Sequence, residues 1–124
     1  MKIVVGAVLL AGLAAVPAQA QRYSPLSGEK LMQLCTGRDR TMVEACSAYI
    51  DGVSDTLVDY QKARPADGSK GAPLPAYICV PGTMSGVQLR NGIVAWARQH
   101  RDVLAKQASF TVVEALRDSF PCQQ

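Results

Sequence analysis

The stretch TMVEACSAYIDGVSDTLVDYQKARP, residues 41–65, decides the fold of this chain. Val43, Cys46, Ile50, Val53, Leu57 and Tyr60 recur at steps of three and four, the spacing of one buried stripe along a helix. Thr41 and Glu44 stand as Thr-x-x-Glu, a capping box in which each side chain satisfies the other's backbone amide, so the helix is expected to begin there. It is expected to stop at Ala63-Arg64-Pro65, because the residue before a proline is pushed out of helical conformation.

On its N-terminal side, Ser27 suits the cap of a shorter helix of about ten residues, since its hydroxyl can accept from a first-turn amide. Leu31, Met32 and Leu34 give that helix an apolar face, and it should end near Cys35, before a polar turn at Thr36–Arg40. On the C-terminal side, Pro65 to Pro75 holds three prolines and no periodicity, which reads as a surface loop. Cys79-Val80-Pro81-Gly82 closes it. Thr83 is the expected cap of a third helix that buries Val87, Leu89, Ile93, Trp96 and Ala97, followed by a break near Arg101-Asp102. A last helix carries Val112, Val113, Leu116 and Phe120, capped at Ser109 or by a second capping box, Thr111 with Glu114; Pro121 ends it. No strand pattern is present. The expected fold is all-α, a small bundle of about four to five helices.

Residues 1–20 read as a secretory signal: Lys2, an apolar run from Ile3 to Val16, then Ala18-x-Ala20, the small-residue pattern of a cleavage site. The run is shorter than the roughly 20 residues a bilayer span needs, and no cysteine follows the small residues to take a lipid. The expected mature protein is residues 21–124, a single exported domain in the periplasm with no membrane insertion after cleavage. Loss of Lys2 lowers the net charge from +3 to +2, and the basic residues are scattered, which excludes a nucleic-acid footprint.

An even cysteine count in a small exported domain implies disulfides. Four cysteines allow three connectivities. Cys35 ends the first helix and Cys46 lies in the first turn of the next, whereas Cys79 precedes the third helix and Cys122 follows the last. The favoured pairs are therefore Cys35–Cys46 and Cys79–Cys122, stabilising by about 3 and about 4 kcal/mol on the loop-entropy estimate. Zinc is not expected, with one histidine and no Cys-x-x-Cys.

Nothing assembles a catalytic site. His100, the only histidine, falls at a helix end, where a capping role is the simplest reading. A nucleophile would need that same histidine as its base, and the cysteines are accounted for by bridges. Asp51, Asp55 and Asp59 align three carboxylates on one helix face; paired carboxylates can cleave glycosidic bonds, but that chemistry needs a groove. A solvated face is the usual meaning of such a row, yet like charges at this spacing cost a few tenths of a kcal/mol per pair, so Asp55 is a candidate for meeting a basic partner. Mid-helix Gly52 costs about 1 kcal/mol relative to alanine, and close approach of another helix is its simplest reason.

Several of these pieces together resemble the Rap/Tai family of exported immunity proteins against type VI secretion amidase effectors. They are Ser27-Gly28-x-x-Leu31 with Leu34-Cys35, then Cys46-x-x-Tyr49-Ile50-x-Gly52-Val53-x-Asp55, Cys79-x-Pro81, Gln88-Leu89 and the closing Phe120-Pro121-Cys122. The resemblance implies a small disulfide-held helical domain in the periplasm, often a homodimer. It also implies a protein without catalysis or cofactor that binds a peptidoglycan amidase and occludes its cleft. Candidate partner contacts are Asp67 and Lys70, in the most exposed part of the 65–75 loop, and Asp55 on the second helix. The alternative reading is a periplasmic stress or chaperone-like helical protein that binds unfolded clients through apolar surface exposed at low pH.

Overall fold

A computed structural model describes residues 24–62 and 77–123. Four α-helices make up these residues: α1 (Gly28–Cys35), α2 (Arg40–Lys62), α3 (Gly86–Gln99) and α4 (Ala108–Ser119), with a 3-10 turn, η1 (Arg101–Val103), between the last two. Among the described residues the only β-type pairings are two isolated bridges, Ser27 with Gln107 and Ile78 with Pro121. The expected all-α bundle is what the chain forms.

Leu31 of α1, Cys46 and Ile50 of α2, Ile93 of α3, and Val112 and Leu116 of α4 meet at the centre with at most 2% of their surface exposed. Burying six such side chains removes the apolar surface that would otherwise leave helices this short marginal in water. Both favoured bridges are formed. Cys35–Cys46 ties the end of α1 to the first turns of α2, and Cys79–Cys122 ties the segment before α3 to the residues after α4. Beside the second bridge, the Cys79 amide donates to the Phe120 carbonyl at 2.8 Å.

α1 begins as expected, with the Ser27 hydroxyl accepting from the Lys30 amide. Its entry is pinned against the turn before α4: the Gly28 amide donates to Lys106, the Glu29 amide to Leu104, and the Ala108 amide to Leu26, all at 2.8–2.9 Å. Gly28 is required by this close approach. A β-carbon there would overlap Thr111 Oγ1 and stand 3.0 Å from the Leu104 backbone.

Helix ends differ from expectation in three places. The start of α2 is capped by Asp39, whose side chain accepts from the Thr41 amide at 3.1 Å, rather than by a Thr41–Glu44 box; Glu44 is engaged by Arg40 Nε at 2.7 Å. Asp39 caps because it stands just before Arg40, where its short carboxylate reaches a first-turn amide, whereas Thr41 already lies inside the helix. For α3 the cap is Ser85, not Thr83, and Ser85 with Gln88 forms the capping box. At α4 neither Ser109 nor Thr111 caps. Thr111 is fully buried, and Glu114 pairs with Arg117.

Two stripes are also shifted. Tyr60 is 60% exposed and Gln61 is buried in its place, so the inner face of α2 runs Cys46, Ile50, Ser54, Leu57, Gln61. Gln61 turns inward because its amide bonds the chain at 77–78: Nε2 donates to the Ile78 carbonyl, and Oε1 accepts from the Tyr77 and Ile78 amides. On α3, Leu89, Ile93 and Ala97 are buried as expected, but Val87, in the first turn, is exposed and Val94 is buried beside Ile93. The expected loop at 65–75 and the signal segment at 1–20 lie outside the described residues.

Candidate functional site

α2 is 23 residues long, so it spans about 35 Å at 1.5 Å per residue. Only one side of it is needed for the core. The outer flank carries Ala45, Ala48, Gly52, Thr56 and Tyr60, all exposed and spaced at three and four residues. Along the middle of this flank runs a shallow apolar hollow. Ala48, Tyr49, Gly52, Val53, Thr56 and Leu57 of α2 line it, with Ser109 of α4 at its far wall.

Gly52 sits in the open. No atom lies within 4 Å of where its β-carbon would be, so the expected close helix approach does not occur among the described residues. The helix therefore carries the cost of a mid-helix glycine with no packing gain inside the protomer. Thr56 adds no free polar group to the hollow, because its hydroxyl bonds back to the Gly52 carbonyl at 2.7 Å.

The acidic row borders this flank, and the structure separates its members. Asp51 lies at the start of α3: a β-carbon on Gly86 would stand 3.6 and 3.7 Å from its two carboxylate oxygens. A carboxylate there complements the positive end of the α3 dipole, worth about 0.3–1 kcal/mol, so Asp51 has a structural role. Asp55 and Asp59 are exposed and have no ion-pair partner among the described residues. By helical spacing they edge the hollow on the side of Gly52 and Thr56. Of the other candidates, Asp67 and Lys70 lie outside the described residues, on the segment that follows α2 directly.

His100 is the C-terminal cap of α3. Its Nδ1–H donates to the Trp96 carbonyl at 2.9 Å, and its ring stacks on the Trp96 ring at 4.0 Å. The indole in turn donates to Asp118 at 3.0 Å. His100 thus closes the end of α3 upon Trp96, and it is Trp96 that fastens α3 to α4. Among the described residues no three of His, Cys, Asp and Glu converge in a way that could hold a metal ion.

The sequence pointed to Asp55 but missed the hollow beside it. The signal was present in Ala45, Ala48, Gly52 and Thr56, a row of small residues on a face other than the core stripe. It went unread because small residues score neither as apolar stripe nor as charge.

An exposed apolar hollow with unpaired carboxylates along one edge can hold a protein surface of matching shape. Comparison with known proteins agrees in kind. Residues 27–122 match the family model described as Rap1a immunity proteins. Neither a curated protein nor a solved structure gives a match.

Proposed function

The chain belongs to the Rap1a immunity proteins, and from that premise we propose that it is exported and neutralises a peptidoglycan amidase effector of a type VI secretion system by binding over its cleft. The observation that carries the reading is the unpartnered α2 flank: an apolar hollow centred on a glycine with no neighbour, edged by Asp55 and Asp59. Inhibition by occlusion needs shape and charge complementarity and no chemistry, which is what this surface offers. Asp67 and Lys70 extend the proposed contact along the chain that leaves α2. Residues 1–20 act as the signal, removed before Gln21, and the working compartment is the periplasm. No helix among the described residues is long and apolar enough to cross a membrane.

Self-association belongs to the same proposal. Sedimentation equilibrium of the processed chain is expected to return a mass double the monomer's, and a monomer at all concentrations removes this part.

The two bridges join helix ends across the bundle, which opposes the large opening a chaperone-like client binder would need. Titration calorimetry against the cognate amidase tests the immunity reading. Wild type should bind and inhibit, whereas Asp55→Ala and a shortened 65–75 segment should each weaken binding while thermal unfolding is unchanged. If no amidase binds wild type, the immunity reading yields to the client-binding one.

A further inference from the structure

A second hollow lies away from the α2 flank and shares no residue with it. Its floor is Met32 of α1, Val94 and Ala97 of α3, and Leu104 just after η1; Arg98 and Arg101 line its side. Ala97 and Leu104 are buried, so the floor is fixed core rather than loose surface. The remaining polar neighbour, Thr36 at the C-terminal cap of α1, is already used, its hydroxyl donating to the Met32 carbonyl at 2.8 Å. Neither arginine forms an ion pair among the described residues. Arg98 stands in the last turn of α3, where the helix's negative end favours a cation.

Size and charge together define the occupant. The hollow offers about 170 Å³ and borders a more polar depression of about 290 Å³ with which it shares Met32, Thr36, Arg101 and Leu104. One large apolar side chain fits. Two guanidiniums beside it call for a carboxylate within one residue of that side chain, held by charge-assisted, fork-like hydrogen bonds. The adjoining rim carries Glu29 and Gln33. Glu29 repels any carboxylate that approaches it, which confines the ligand's carboxylate to the side of Arg98 and disfavours a run of acidic residues. A free peptide C-terminus ending in an apolar residue supplies one apolar group and one carboxylate at fixed short distance, and capture of that terminus is a recurring mode of recognition.

We propose that the hollow between α1 and the α3–η1 corner binds the C-terminal residue of a partner polypeptide, with the apolar side chain on Met32, Ala97 and Leu104 and the carboxylate on Arg98 and Arg101. The proposal goes beyond the immunity reading and stands whether or not an amidase binds. The probe is acetyl-Gly-Gly-Leu with a free carboxylate, titrated into the ¹⁵N-labelled processed chain. Saturable shifts are expected at the amides of Met32, Ala97, Arg98, Arg101 and Leu104. The amide-capped peptide should bind at least about fivefold more weakly, and Arg98→Gln and Arg101→Gln should each weaken binding about three- to tenfold, with the remaining spectrum unchanged. The proposal is overturned if no shifts appear at the hollow up to about 5 mM peptide, or if capping the carboxylate changes nothing. Equal binding of acetyl-Gly-Leu-Asp-Gly-amide, which carries its carboxylate internally, overturns it as well.

Discussion

Gln61→Leu removes the side chain that ties the end of α2 to the chain before α3, without changing the volume much. Gln61 is 6% exposed, and among the described residues its amide makes three hydrogen bonds, to residues 16 or 17 positions away, at 3.0–3.1 Å. Leucine leaves the Tyr77 amide, the Ile78 amide and the Ile78 carbonyl without partners. Tyr77 is 40% exposed, so water replaces its lost bond at little cost. Ile78 is 2% exposed, and its two groups have no such recourse. Each buried orphan costs about 1–3 kcal/mol, which gives about 2–6 kcal/mol for the pair; the better burial of leucine offsets part of this, leaving about 3 kcal/mol. For a domain near 100 residues, 1 kcal/mol moves the midpoint by about 4–8 °C, so Tm should fall by about 12–24 °C. Differential scanning calorimetry of the oxidised, processed chain reads this directly. Hydrogen exchange adds a local check, because the Ile78 and Cys79 amides should lose protection before the α1 and α4 core does. A Gln61→Leu protein within about 0.5 kcal/mol of wild type would show that the amide bonds are dispensable and the reasoning wrong.

Gly28→Ala is expected to destabilise by about 2 kcal/mol, since the new methyl meets Thr111 Oγ1 and the Leu104 backbone; urea unfolding measures it, and a neutral result contradicts the close approach. Gly52→Ala should do the reverse, raising stability by up to about 1 kcal/mol, because the methyl enters open space and the helix gains propensity. Loss of the Cys79–Cys122 bridge in a paired serine variant should cost about 4 kcal/mol and loss of Cys35–Cys46 about 3, the longer loop costing more; calorimetry of the two double variants gives the order, and its reversal contradicts the entropic argument. Intact-mass spectrometry of periplasmic extract should find a chain that starts at Gln21, and a membrane-bound species retaining residues 1–20 contradicts export as described.

Much of the bundle was legible because its determinants are local or periodic. The steps Cys46, Ile50, Val53, Leu57 announce α2, Ser27 announces α1, and the short turn between Cys35 and Cys46 favours one of the three connectivities. What failed was decided by contacts distant in sequence. The inward turn of Gln61 depends on Ile78, and the uncapped start of α4 depends on the Leu26 carbonyl, which takes the Ala108 amide. No local pattern encodes either. Choices between neighbouring caps failed for a related reason: Asp39 and Thr41, or Thr83 and Ser85, are equally good cap chemistry, and packing of the following helix picks between them. Asp51, Asp55 and Asp59 looked equivalent as a row, and only the position of the α3 N-terminus separates Asp51 from the other two.

Inhibition of the cognate amidase by wild type and by Gly52→Gln tests the role of the α2 flank most directly. Glutamine suits a helix, its β-carbon meets no atom of its own protomer, and the rest of its side chain extends over the open hollow, so the fold should keep its Tm within a few degrees. If the flank covers the amidase, the side chain stands where the partner must pack, and inhibition should weaken by about 100-fold, the scale of a central hot-spot residue. Gly52→Gln that inhibits as tightly as wild type would place the amidase on another surface and contradict the assignment.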